Sequence, residues 1–584
     1  MTRTDSVVVG TLVALLALLA ALIGAPAFQL ASTAPLATPS PGASTPAIEA
    51  RPYVEGVLGA PTSVSPLTAR TQADRDLVAL IFAGLVRNGP DGTLVGDLAE
   101  RWSVDSSGKT WTVDIRRDAR WQDGQPVTSE DVLFTIETLQ DPNYAGPSAT
   151  SWSEVDVEAR GPHRVIFTLK TPLGGFLQAL TQPLAPAHLL ADIPISDLPT
   201  DPFGQQPIGA GPFALTELTD TSATLVPVGS IPEPEPDTSP SAAATAEATD
   251  SLTTPGPTLR PSRPMPYLSG IEFRYFGEAD ELAAAFRTGE LDGASGLPPQ
   301  VAAELGGSEG AHLMRYPGST LSAVLLNLRP GHPEFATPAI RSALLAAIDR
   351  AGLIKAAYNG LAVAATDPIP PTSPMFDAKA DPAVAYSRTN ASKALRGAGW
   401  IRDDKGWHLA KAKPALKLEI ISPTEPVNRG LYLAAQDVVD DWTRLGFTAS
   451  HVALSPGEYA VDRLSTGTFQ VALADLRIGL DPDLYPLLAS SQTLTGGSNV
   501  IGLQDPTLDP LLEKARAPGS AAARTAAYSA LQTQLGKGRY LLPLAFPDEV
   551  VVFRDTLQGP SIRQVTDASD RFWDVLTWRL AVDR

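Results

Sequence analysis

The run Leu94-Val-Gly-Asp-Leu-Ala-Glu-Arg-Trp102, continued through Trp111 to Trp121-Gln-Asp-Gly-Gln-Pro-Val-Thr-Ser-Glu-Asp-Val-Leu-Phe134, decides how the chain reads. Trp111, Val113 and Ile115 alternate with Thr112, Asp114 and Arg116, the two-residue period of a half-buried strand. Asp105-Ser-Ser-Gly108 supplies the turn ahead of that strand. Thr128 stands three residues before Asp131 as an N-cap, and Val132, Ile136 and Leu139 then recur at helical spacing. The expected unit is a strand hairpin feeding a capped helix.

Outward from this unit, the chain of 584 residues is too long for one hydrophobic core, so two or three domains are expected. A formal net charge of −19 argues against nucleic acid or anionic lipid as the main partner, since both require a basic footprint. The absence of cysteine excludes disulfides, thiol nucleophiles and cysteine metal sites.

From Ser6 to Ile48 there is neither a charged residue nor a histidine, and Val7 to Phe28 is almost wholly apolar. About 22 residues rising roughly 1.5 Å each reach about 33 Å, enough to cross a hydrocarbon core of about 30 Å. A cleaved signal peptide competes with this reading, because Ala25-Pro-Ala27 can serve as a small-residue cleavage site. The length of the run favours an uncleaved anchor, and residues 1–30 are therefore expected to form an N-terminal transmembrane helix. Either reading exports the bulk of the chain, to the cell surface if anchored and to the periplasm or medium if cleaved. Residues 31–50, rich in Pro, Ser, Thr and Ala, read as a flexible tether. A second such stretch, 229–264, contains Pro232-Glu-Pro-Glu-Pro236 and lacks apolar periodicity, so a disordered surface insertion is expected there.

Elsewhere strand-like and helix-like segments alternate, which favours α/β layers. Gly270 to Phe276 reads as a strand, and Ala279 to Phe286 as a helix closed by Gly289. Thr337-Pro338 reads as an N-cap with proline at the first helical position. Leu431 to Leu445 is an amphipathic helix stopped by Gly446, and Phe447 to Leu454 alternates like a strand.

The literal residues of the opening run closely resemble the signature of family 5 extracellular solute-binding proteins, the ligand receptors of peptide- and nickel-type ABC importers. Further likenesses follow in order between about Val57 and Ala545. Pro207-Ile-Gly-Ala-Gly-Pro-Phe213 resembles the family's glycine loop, and Phe286-Arg-Thr-Gly-Glu-Leu-Asp292 a later helix end. Leu326-Asn-Leu328 with Ile340 to Arg350 resembles the entry to a further domain. Ala394-Leu395, Ala398-Gly-Trp400, Asp481-Pro482 and Asp505 to Leu512 resemble distal segments.

This resemblance implies an α/β, large type II periplasmic-binding-protein fold: two lobes with an additional domain and a hinged cleft. It assigns residues 51–75, 206–325 and 539–584 to lobe I, 76–205 to the additional domain II and 326–538 to lobe III. It implies an extracytoplasmic solute-binding component of an ABC importer, capturing a peptide-like or other bulky solute and delivering it to permease and ATPase subunits. The protein is then a monomer without enzymatic activity, cofactor or metal. The alternative is a membrane-anchored ligand sensor or assembly factor that keeps the fold without transport.

By the same resemblance, the ligand-lining segments place candidate contacts at Ser65, Pro66 and Leu67, at Ser319, Thr320 and Leu321, and at Asp475, Arg477 and Asp481. Peptide-binding relatives carry an aspartate four residues before the proline of the Asp/Glu-Pro pair, as counter-ion to the peptide amine. Ile478 occupies that position here, with Asp475 the nearest substitute, so an oligosaccharide, a blocked peptide or another bulky uncharged solute is expected. The family's Asn-Pro-x-Tyr-Trp segment is also replaced, by the low-complexity stretch.

Catalytic patterns do not survive inspection. Gly306-Gly-Ser-Glu-Gly310 fits G-x-S-x-G formally, but a helix-like Val301 to Leu305 precedes it and a strand-like His312 to Tyr316 follows, the reverse of a nucleophile elbow. The six histidines, at 163, 188, 312, 332, 408 and 451, show no metal-ligand spacing. Asp481 and Asp483 read as solvated loop carboxylates, and Trp102, Trp111 and Trp121 as core. No phosphate-binding P-loop is present, so any ATPase is a separate subunit.

Overall fold

The structure is a computed structural model describing residues 51–581, apart from 90–92, 145, 147–151, 153, 231–265, 410–413 and 494–496. The expected anchor, the tether and nearly all of the 229–264 insertion lie outside the described residues. Among the described residues no helix is long and apolar enough to cross a membrane.

The opening run folds as its periodicity predicts. Ala99–Val104 and Thr110–Ile115 pair antiparallel around a turn in which Asp105 accepts from the Thr110 N–H and Gly108 takes a positive φ of 73°. The helix Ser129–Gln140 begins in a capping box between Thr128 and Asp131 and buries Val132, Ile136 and Leu139. Arg164–Leu169 and Val155–Ala159 complete a four-stranded sheet whose core includes Trp111. Trp121 is buried as well, whereas Trp102 is only partly covered.

A seven-stranded mixed sheet is built from distant parts of the chain. Its central strand, Tyr53–Leu58, runs parallel to both Ile271–Phe276 and Gly293–Ser295. Parallel neighbours need a crossover, and the helix Ala279–Thr288, ended by Gly289 in the left-handed conformation, provides it. Ser222–Pro227 and Phe213–Leu218 extend one edge; Glu549–Arg554 and Ala311–Tyr316 extend the other.

A six-stranded sheet takes Ala362–Ala364, Leu541–Pro547, Thr320–Leu326, Val471–Arg477, Lys417–Pro423 and Thr448–Leu454 in that order. The parallel pair Lys417–Pro423 and Thr448–Leu454 is joined by the helix Arg429–Leu445, capped by Asn428 and stopped by Gly446 at φ 108°. Separate apolar clusters fill its two faces. The helix Pro338–Ala346 starts where expected, but Thr337 makes no side-chain cap; proline at the first position already removes one unpaired N–H. Pro299–Gly306 is helix and Ala311–Tyr316 strand, so Ser308 sits in a turn.

The two large sheets are joined by two short crossovers. Pro317-Gly-Ser319 leads from Ala311–Tyr316 into Thr320–Leu326, and Asp548 leads from Leu541–Pro547 into Glu549–Arg554. Arg315 pairs with Asp548 across them. They approach so closely that a Cβ on Gly318 would lie 2.1 Å from the Pro547 carbonyl oxygen.

Candidate functional site

A cavity of about 700 Å³ opens between the sheet systems, walled by four segments far apart in the chain. The first wall is the helix Gln72–Ile81 and the turn after it. Asp74 positions this wall by accepting from the N–H groups of Thr62, Ser63, Arg70 and Thr71. Burial pushes the Asp74 carboxyl up, but these N–H groups outweigh it and leave the group below the usual range. The helix ends against the glycine loop: the Gly211 N–H donates to the Ile81 carbonyl at 2.7 Å, and a Cβ on Gly209 would stand 1.9 Å from the same oxygen. Glycine there is a requirement of close approach, and it sets Phe82 on the cavity wall.

The second wall combines Arg87, from the strand Val86–Asn88, with Trp152 and the turn around Gly175. Trp152 meets Phe176 edge to face with centroids 5.9 Å apart, which fixes the indole. The third wall is the loop leaving Val471–Arg477, where Arg477, Ile478 and Asp481 line the space. Asp481 accepts from Arg524 at 2.7 Å, and Asp483 pairs with Arg516 at 3.0 Å.

The fourth wall is the C-terminal 3-10 segment Ala568–Thr577, entered through a capping box between Asp567 and Asp570. Asp567 lies 2.9 Å from the Arg75 Nε and 3.9 Å from Arg477. Burial raises the Asp567 carboxyl, and Arg75, the Ser569 N–H and Arg477 together bring it below its ordinary value. Asp570 accepts from the Thr566 and Asp567 N–H groups, yet burial keeps its carboxyl raised.

Of the nine residues expected to contact ligand, Pro66, Arg477 and Asp481 line this cavity. The other six do not. Ser65 accepts from the Leu67 N–H, Leu67 is fully buried, and its carbonyl takes the Tyr144 hydroxyl. Ser319 sits in a crossover, its N–H on the Val565 carbonyl and its hydroxyl 3.2 Å from Thr566, while Thr320 and Leu321 continue into the sheet. Asp475 is held by Ser322 at 2.5 Å and Asn428 at 2.8 Å. Ile478, at the position where an amine counter-ion was sought, is buried and on the cavity wall.

Arg75, Arg87, Trp152, Asp567 and Phe572 were not anticipated. Only Asp567 had a local signal, the Asp567-x-x-Asp570 spacing of a capping box. Among the described residues no group of three histidine or carboxylate side chains is arranged to hold a metal ion.

Two sheet systems joined by paired crossovers around a cavity describe a mixed α/β solute-binding fold. Residues 93–498 match the family described as bacterial extracellular solute-binding proteins, family 5, and the chain belongs to that family. It is similar to Protein XP55 of Streptomyces lividans, 26% identical over 87% of this chain and 86% of that protein. The structure resembles the oligopeptide-binding protein AppA of Bacillus subtilis in complex with a nonapeptide, with TM-score 0.67, 19% identity, and coverage of 91% of this chain and 100% of that one. It also resembles AgaA of A. tumefaciens R10 in complex with agropinic acid, with TM-score 0.67, 19% identity, and coverage of 91% and 99%. One fold therefore holds both a nonapeptide and agropinic acid, and the ligand must be argued from the cavity.

Proposed function

We propose that the protein is a non-enzymatic extracytoplasmic receptor that captures a bulky solute in the cavity between its lobes and delivers it to an ABC permease. The observation that carries this reading is a cavity walled by both sheet systems, with Arg477 and Asp481 from one and Arg75 and Asp567 from the other. The crossovers at 317–319 and 548 act as the hinge, and the closed arrangement gains contacts across the cleft when solute is present. Pro66, Arg477 and Asp481 contact the solute. A free peptide amine is not its anchor, because a buried amine needs its own counter-ion and Ile478 supplies none. Asp481, Asp483, Asp567 and Asp570, which line the cavity, already serve Arg524, Arg516, Arg75 and backbone N–H groups in turn. Residues 7–28 hold the receptor at the membrane or direct its export, and the body works as a monomer.

The test is native mass spectrometry of protein purified without refolding, joined to small-angle scattering before and after removal of any bound molecule. A co-purified small molecule whose removal expands the protein supports the reading. A protein that carries none, and keeps one radius of gyration with and without metabolite extract, overturns it.

A further inference from the structure

Resting on the receptor reading, we propose that the solute is an organic acid whose carboxylates are held by Arg87 and Arg477 from opposite sides of the cleft. Net charge around the cavity does not decide its chemistry; unused hydrogen-bonding capacity does. Asp481 is occupied by Arg524, Asp483 by Arg516 and Asp567 by Arg75, while Asp570 takes two backbone N–H groups. A ligand ammonium entering the cavity would have to share a carboxylate that already serves one of these partners.

The two arginines are different. Among the described residues Arg477 comes no nearer to a carboxylate than 3.9 Å, and its side chain is 70% exposed. Arg87 comes no nearer than 4.0 Å among the described residues, to Asp97, and its Nε is buried without a hydrogen bond. Among the described residues no hydrogen bond reaches either guanidinium. Each offers five N–H donors in a planar fork that matches a carboxylate.

Their placement adds a mechanical consequence. Arg87 belongs to Val86–Asn88, the strand that follows the helix Gln72–Ile81 in the chain, and Arg477 ends a strand of the six-stranded sheet. An acid with two separated carboxylates engages both walls only when they close on it, which ties occupancy to closure. Phe82, Trp152 and Phe572 give its apolar body a surface, as expected for a site that orients a ligand with few polar groups. Ile478 fills the position where an amine would need a carboxylate.

The test uses the purified chain and a matched panel read by thermal shift and calorimetry. The panel holds N-acylated amino acids and peptides with one or two carboxylates, their neutral amides, and the same amides with free amines. Acids are expected to bind and their amides not to. Arg87→Gln and Arg477→Gln are each expected to weaken the acid about tenfold or more, the loss of a charge-assisted hydrogen bond. Arg477 is exposed, so an unchanged melting temperature of the ligand-free variant shows that it folds. Amides binding as tightly as acids, or acid affinity surviving both substitutions, overturns the acid assignment and leaves the receptor reading standing. Silence from the whole panel, with nothing co-purified, overturns both.

Discussion

Arg571 ties together three stretches that the chain separates widely. Its guanidinium meets both oxygens of Asp76 and one of Glu55, each at 2.7 Å, and all three side chains are at most 1% exposed. The Tyr53 hydroxyl donates to the other Glu55 oxygen at 2.8 Å. Burial works against the charge on Arg571, but the two carboxylates outweigh it and hold the proton more firmly than usual. Arg571→Ala leaves two carboxylates buried side by side, and is expected to cost about 3–5 kcal/mol in denaturant unfolding. A loss under about 1 kcal/mol, the scale of an exposed pair, would show that water reaches the group. Asp367 presents the opposite situation. Among the described residues only one of its oxygens has a partner, the Ile369 N–H at 2.7 Å, and burial pushes its carboxyl up to about 7. The unfolded carboxyl loses its proton near pH ~4. Across the window from there to about 7 the native state therefore binds more protons than the unfolded one, so stability falls as pH rises and levels off above it. Asp367→Asn keeps the Ile369 contact and removes the slope. Its stability is expected to exceed that of the wild type by up to about 4 kcal/mol near pH ~8, read as a higher melting temperature, and to match it near pH ~4. A difference independent of pH would refute the assignment.

At the scale of elements, the two crossovers between the large sheets are held by close contacts. Gly318 forms a parallel bridge with Val565, and the Ser319 N–H donates to the Val565 carbonyl, so the C-terminal segment clasps this crossover. A methyl group at residue 318 would press on the Pro547 carbonyl oxygen of the second crossover. Gly318→Ala is thus expected to cost about 1–3 kcal/mol and to force the crossovers apart. Small-angle scattering is expected to show an expanded ligand-free form; an unchanged profile and melting temperature would mean that the crossovers shift at no cost. The elements themselves were legible wherever their cause was local. The strand Thr110–Ile115 and the helix Ser129–Gln140 follow from periodicity and a capping box, and the helices ending at Gly289 and Gly446 from glycine in the left-handed conformation. The cavity was legible only in part. Pro66, Arg477 and Asp481 lie in segments that resemble a known family, whereas Arg75 and Asp567 meet because the C-terminal segment returns across the first helix. No local pattern encodes such a pairing. Ser319 and Leu321 lie off this cavity for a related reason: they serve the crossover and the sheet core.

At the scale of the whole molecule, the question is how a chain with a long low-complexity stretch keeps one continuous sheet. Ser222–Pro227 precedes residues 231–265 and Ile271–Phe276 follows them, and the two strands are direct antiparallel neighbours, with Leu225 opposite Ile271 and Ser222 opposite Arg274. The strand ends that the stretch connects are therefore held side by side by the ladder. A short link of turn residues is enough to join antiparallel neighbours. Removing most of the stretch also shortens the loop to be closed, which changes the closure entropy by only about 0.6 kcal/mol per halving. Replacing residues 231–265 by a short Gly-Ser link is thus expected to leave the melting temperature and solute affinity nearly unchanged. The flanking side chains are kept, including Tyr267, whose ring lies 3.8 Å beneath the Arg579 guanidinium. A fall of several degrees on deletion would show that the stretch packs on the body. Unchanged melting with weakened solute binding would place it at the cleft, and unchanged behaviour of both would make it a permissive insertion at a strand-to-strand connection.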